Sequence, residues 1–177
     1  MESLDKRFDL GPLRVAAPPY LHLLASTAVD VNILCGTFDH RGMVGRLLRG
    51  RQMQSSAGVW GEFAAALQFP YYFGYNWAAF NECISEIDWF PPVGLVIGIM
   101  GAGPLLREDA SFLTAFVRML QRAGDGYSRP IARGDGADRP AFPFHVVFQD
   151  EGTKLVELRE QLFAAGAILD DIAPFPR

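Results

Sequence analysis

Several features are scarce in this chain, and each scarcity excludes something. The longest nearly uncharged apolar run, VGLVIGIMGAGPLL (93–106), is broken by glycines and a proline. It is too short to span a bilayer, so no membrane association is expected. The opening MESLDKRFDLG carries charge and is followed by no apolar leader core, so no secretory signal is expected. There are only two cysteines, Cys35 and Cys83, both in apolar surroundings. They read as buried free thiols of a protein in a reducing cytoplasm, with no disulfide. The net charge is -4, so the basic face that direct nucleic-acid binding needs is not expected. No internal repeat is present.

Metal and cofactor signatures are missing as well. His22, His40 and His145 are far apart in sequence and lack zinc-like spacing with the cysteines. Asp39 and His40 are neighbours in FDH, and on a strand they would face opposite ways. GIMGAGP follows an apolar run but is not G-x-G-x-x-G, has no Walker lysine and places Pro104 in the turn. It reads as a tight turn leaving a buried strand. The RGD tripeptide at 133–135 reads as incidental to its loop. No cofactor, no metal and no enzymatic activity are expected.

What the chain does have is enough apolar material for a sizeable core. It contains 177 residues, half of them hydrophobic and 20% charged, which describes a globular domain. Strands are expected at VNILCGTF (31–38), VGRLLRG (44–50), VGLVIGIM (93–100) and FHVVFQ (144–149). The run at 93–100 is apolar at nearly every position, as a strand buried on both faces is.

Helical patterns alternate with these strands. One follows Ser55 or Ser56 as N-cap, with Val59, Phe63 and Leu67 on one face. Another starts at Asp109 and ends at Gly124, with Phe112, Phe116, Met119 and Leu120 inward. A third places Leu155, Leu158, Leu162 and Ala165 together. The alternation predicts an α/β fold with a small, mainly parallel sheet of three core strands and a candidate fourth. The expected division is an N-terminal extension with an extra strand (1–43), a central domain (44–150) and a C-terminal helical extension (151–177). Residues 125–141 read as a loop.

One more absence points to function. Between Gln52 and Leu106 there is no lysine or arginine, while Glu62, Glu82, Glu86 and Asp88 lie in that stretch. The same stretch contains FPYYFGYNWAAFNECI (69–84), whose first nine residues include six aromatics. With Asn76 as N-cap, a helix from Trp77 buries Trp77, Phe80, Ile84 and Ile87, with Cys83 beside them. Its opposite side carries Ala78, Glu82 and Glu86 at i, i+4, i+8, with Asn81 and Ser85 alongside. A short glycine-containing turn cannot bury six large rings on one side, so some are expected at the surface. An acidic helix flanked by exposed tyrosines suits a basic protein partner.

These residues resemble the barstar family, intracellular inhibitors of the ribonuclease barnase. The resemblance is unbroken from about Leu48 to Ile84 and covers roughly 100 residues in all. It includes a strand, a glycine turn, a first helix, a P-x-Y-Y/F-G-x-N loop and the helix from Trp77. The resemblance implies a small parallel sheet with helices packed on it. It also implies an inhibitory surface on that loop and helix, where acidic side chains take the place of substrate phosphates.

Carried over by position, Tyr72, Phe73, Gly74 and Asn76 fall on the loop motif, with Tyr75 inside it. Glu82 falls on the principal acidic contact, with one methylene more than the family's aspartate. Ala78 stands where the family has a second contacting aspartate, and Asn81 where it has a tryptophan. Trp89 matches a tryptophan after the inhibitory helix. Acids of the family's last helix have Met119 and Ala123 as their nearest counterparts here.

The partner-binding set expected from all this is Tyr72, Phe73, Gly74, Tyr75, Asn76, Ala78, Asn81, Glu82, Glu86 and Trp89. The expected function is a non-enzymatic inhibitor or immunity protein for a basic ribonuclease or related toxin. The alternative is an interaction module on the same fold that has lost ribonuclease inhibition and serves a homo-oligomer or a non-nuclease partner.

Overall fold

A computed structural model describes residues 7–38, 43–87, 89, 93–134 and 138–173. Asp39, His40, Asp88 and Asp135 lie outside the described residues.

The elements in chain order are β1 (Leu21–Ala25), α1 (Ala28–Phe38), β2 (Met43–Arg49), α2 (Ser56–Leu67) and α3 (Trp77–Ser85). These are followed by β3 (Gly94–Met100), α4 (Leu113–Tyr127), β4 (Phe144–Asp150), α5 (Gly152–Ala164) and β5 (Leu169–Asp171). The five strands form one sheet in the order β2-β3-β4-β1-β5, and every pairing is parallel.

The connection from β1 to β2 runs across the sheet in the direction opposite to β2→β3→β4. Right-handed crossovers therefore place α1 on one face and the other helices on the opposite face. The two cores follow this division. Leu95, Ile97 and Ile99 of β3 join Phe63, Phe80, Phe116 and Leu158 on the face covered by α2–α5. Val96 joins Val31, Leu34 and Phe38 of α1, together with Phe8, Leu10 and Leu13 of the N-terminal segment. Strand β3 is buried on both faces, as its unbroken apolar run predicts.

Helix α1 approaches the sheet unusually closely. A Cβ on Gly45 would stand 1.8 Å from the Cys35 carbonyl oxygen, and one on Gly98 would stand 2.7 Å from Cys35 Sγ. The two glycines clear a path across β2 and β3 for the helix backbone.

The expected strand at 31–38 is instead α1. Val31, Leu34, Cys35 and Phe38 are all buried, at helical spacing of three and four. Thr27 and Asp30 cap the helix reciprocally: the Asp30 amide donates to Thr27 Oγ1, and Asp30 Oδ2 accepts from the Thr27 amide. This local closure outweighs the β-branched content of the segment. The N-terminal segment does contain a strand, but it is β1 at Leu21–Ala25, where none was expected, and it is inserted between β4 and β5.

The expected start of a regular helix at Asp109 is also corrected. Ala110–Phe112 form a 3-10 turn, and α4 begins at Leu113 and runs past Gly124 to Tyr127. The tighter turn shifts the phase, so Leu113, Phe116, Val117 and Leu120 form the inner stripe. Phe112 lies outside that stripe, 41% exposed.

Candidate functional site

Helix α2 ends at Gln68, whose φ of 52° reverses the chain. The loop then turns tightly, with the Phe73 amide donating to the Pro70 carbonyl at 2.9 Å. Asn76 closes it in two directions. Its Oδ1 accepts from the Ala79 amide at 2.9 Å and caps α3, while its Nδ2 donates to the Gly74 carbonyl at 3.1 Å. A Cβ on Gly74 would stand 2.9 Å from that Nδ2, so glycine fits the amide's seat. Tyr75 holds φ at 46°, a left-handed backbone that is unfavourable for a tyrosine.

This backbone sorts the aromatics into two sets. Phe73 is buried in the α2–α5 core, and Phe69 is packed against it. Tyr71, Tyr72 and Tyr75 are 100%, 67% and 59% exposed. Tyr75 lies over Phe73 at 4.8 Å between ring centroids, and Tyr71 meets Tyr72 edge to face at 5.5 Å. Phe73, expected at a contact surface, is therefore the floor beneath Tyr75. Tyr71, absent from the expected contact set, is the most exposed ring of the cluster. The tyrosine pair in PYYFG was the signal for it.

Helix α3 presents the expected faces with one change. Phe80, Cys83 and Ile84 are buried, and Trp77 is half-buried against Phe112, stacked at 5.6 Å. Ala78 and Glu82 are exposed, and Asn81 is half-buried. The helix stops at Ser85, and Glu86 follows with a non-helical backbone (φ -134°, ψ 67°). Glu86 is therefore at the end of the helix, not on a third turn of its face. It remains exposed. Neither Glu82 nor Glu86 has a side-chain hydrogen bond or ion pair among the described residues. Burial pushes the Cys83 thiol up, and the Glu82 carboxylate adds to the effect.

Not every acid in the cation-free stretch is available. Glu62 is held by Arg49 through the guanidinium at 2.6 Å and the backbone amide at 2.9 Å. Trp89 also has a structural position: its Nε1 donates to the Leu67 carbonyl at 2.9 Å, and its ring meets Phe69. At the expected counterparts of further acids, Ala123 is buried in α4 and Met119 is partly buried.

Tyr127 was not legible as a site residue. Its buried hydroxyl donates to the Ile84 carbonyl at 3.0 Å and accepts from the Ile87 amide at 2.9 Å. It thus fixes the end of α3 from 40 residues away in sequence.

His22 and His145 are brought together by the parallel pairing of β1 with β4. They form a buried pair rather than the separated residues their spacing implied. No group of three or more potential metal ligands occurs among the described residues. No helix among them is long and apolar enough to cross a membrane.

Together these features define a parallel α/β domain whose α2–α3 connection is an exposed, tyrosine-rich surface beside acidic residues. The family model described as Barstar (barnase inhibitor) matches residues 43–149, and the chain belongs to the barstar family. This is a family of inhibitors rather than of enzymes. No curated protein matches the chain.

Proposed function

We infer that this protein is a non-enzymatic inhibitor or immunity protein acting in the cytoplasm. It binds a basic ribonuclease or related toxin and occludes the active site. The observation that carries this reading is the exposure of Tyr72 and Tyr75 beside Glu82 and Glu86 in a barstar-family chain. The rings supply rigid contact area, and the carboxylates occupy positions that substrate phosphates take on the enzyme. Ala78 and Asn81 line the same face. Phe73, Gly74, Asn76 and Trp89 hold its shape.

The direct test is titration of the full chain into an RNA-cleavage assay with purified basic ribonucleases. Inhibition saturating at one inhibitor per enzyme, and weakened by Glu82→Ala or Tyr72→Ala, is the expected result. Saturating inhibition that neither variant changes removes the assigned surface.

A second reading has its own observation. The face offers a methyl group at Ala78, and α4 offers no acid at Met119 or Ala123. The same surface then serves self-association or a partner other than a nuclease. Self-association abolished by Tyr72→Ala, in a chain that inhibits no nuclease, selects this reading.

A further inference from the structure

An open cleft of about 630 Å³ lies beyond the carboxyl ends of β2, β3 and β4. Parallel α/β sheets bind ligands at this end of their strands, and the volume suits a small molecule. Three cations line it from three separate segments. Arg51 comes from the turn after β2, Arg107 from the loop after β3 and Lys154 from the first turns of α5.

These cations are poorly neutralised. Arg7, Arg49, Arg129 and Arg159 each pair with a carboxylate. By contrast, the side chains of Arg51 and Lys154 have no hydrogen bond or ion pair among the described residues. Arg107 donates to Gln54 Oε1, a neutral partner. Two acids also line the cleft. Asp150 is buried and already accepts from the Gly103 amide at 2.7 Å and the Glu151 amide at 2.9 Å. Glu157 is exposed and pairs with none of the three cations among the described residues.

The glycine turn after β3 shapes the cleft. Gly101 holds φ at 65°, and a Cβ there would stand 3.6 Å from Arg51 Cγ and Nε. A Cβ on Gly103 would stand 3.2 Å from Lys154 Cβ. The turn thus lies against the Arg51 side chain on one side and, beside Asp150, against the base of Lys154 on the other. Its own amides are committed: Gly101 donates to Gln149 Oε1, Ala102 to the Gln149 carbonyl and Gly103 to Asp150. An anion is therefore held here by side chains, not by a nest of backbone amides. Pro104 and Ala110 provide a small apolar wall, with Leu105, Leu106 and Leu113 buried behind it.

We propose that this cleft binds a small phosphate ester, with its phosphate among Arg51, Arg107 and Lys154 and its organic part against the apolar wall. Arginine forks and a lysine point charge together match a multiply charged tetrahedral anion better than a single carboxylate. The site shares no residue with the tyrosine and glutamate surface, so the two assignments stand or fall separately.

Calorimetric titration of the full chain with AMP, and separately with inorganic phosphate, tests the proposal. Saturable binding is expected, tighter for AMP because of the apolar wall. Arg51→Ala and Lys154→Ala remove exposed side chains, so both variants should keep the parent melting midpoint. Each should weaken AMP binding by about tenfold, the loss of one charge-assisted contact. Glu82→Ala should leave AMP binding unchanged. Failure of AMP to saturate the chain at millimolar concentration overturns the proposal. So does binding that persists unaltered in the Arg51→Ala, Lys154→Ala double variant.

Discussion

His22 Nε2 lies 2.9 Å from His145 Nδ1 in the interior of the sheet, and His145 Nε2 in turn reaches the Val15 carbonyl at 2.9 Å. The two rings link adjacent strands to the N-terminal segment above them. Burial, with His145 beside it, pushes the His22 pKa down to about 3, and burial also lowers that of His145.

The pair should make the protein acid-sensitive well above the carboxylate range. Unfolded histidines take up protons below their ordinary pKa of about 6.5, while the folded pair stays neutral. The unfolded state then binds more protons, so stability falls as pH drops below that value. Each such histidine contributes up to about 1.4 kcal/mol per pH unit. Urea unfolding between pH 7 and 4.5 measures this slope, and a flat profile contradicts a buried neutral pair.

The Tyr127 hydroxyl has two backbone partners, so Tyr127→Phe should cost about 1–3 kcal/mol, with the Ile87 amide left unpaired. The loss should concentrate at the end of α3. Hydrogen exchange at Ile87 should accelerate more than at the centre of β3.

Gly45 and Gly98 face α1 differently. A methyl at Gly45 meets the Cys35 backbone, which cannot move alone, whereas one at Gly98 meets the Cys35 and Val31 side chains. Gly45→Ala should therefore cost roughly 3 kcal/mol and Gly98→Ala roughly 1. Chemical denaturation that ranks them in the reverse order rejects the close helix crossing.

Asn76 should be separable from Glu82. Asn76→Ala removes the cap of α3 and should lower stability by about 1 kcal/mol, while Asn76→Asp retains the accepting oxygen. Glu82→Lys should leave thermal stability nearly unchanged, since the side chain is exposed and without a partner among the described residues. In a complex with a basic partner the same change should slow association and weaken affinity by more than tenfold. Stopped-flow binding at two salt concentrations checks both effects.

Sequence periodicity located β2, β3, β4, α2 and α3 because each buries one regular stripe or an unbroken apolar run. It failed at α1, where the Val-Asn-Ile-Leu content outweighed the Thr27 and Asp30 cap and the spacing of Val31, Leu34, Cys35 and Phe38. It also missed β1, a five-residue strand in an otherwise irregular segment. At the candidate surface, the loop motif and the capping Asn76 were readable locally. Contacts distant in sequence were not: the Tyr127 clamp on α3 and the Arg49 hold on Glu62 appear only once the elements are packed. The division of the aromatics into floor and surface likewise depends on the left-handed turn at Tyr75.

The position of β1 constrains the order in which the chain is completed. Its two hydrogen-bonded neighbours are β4 and β5, both more than 100 residues later in the chain. During synthesis, Leu21–Ala25 emerge first and have no strand to pair with until Phe144–Asp150 have followed. β2 and β3 can zip together long before that. The first strand made is thus seated only after β2, β3 and β4, and until then the edge of β4 stays open to pairing with other chains.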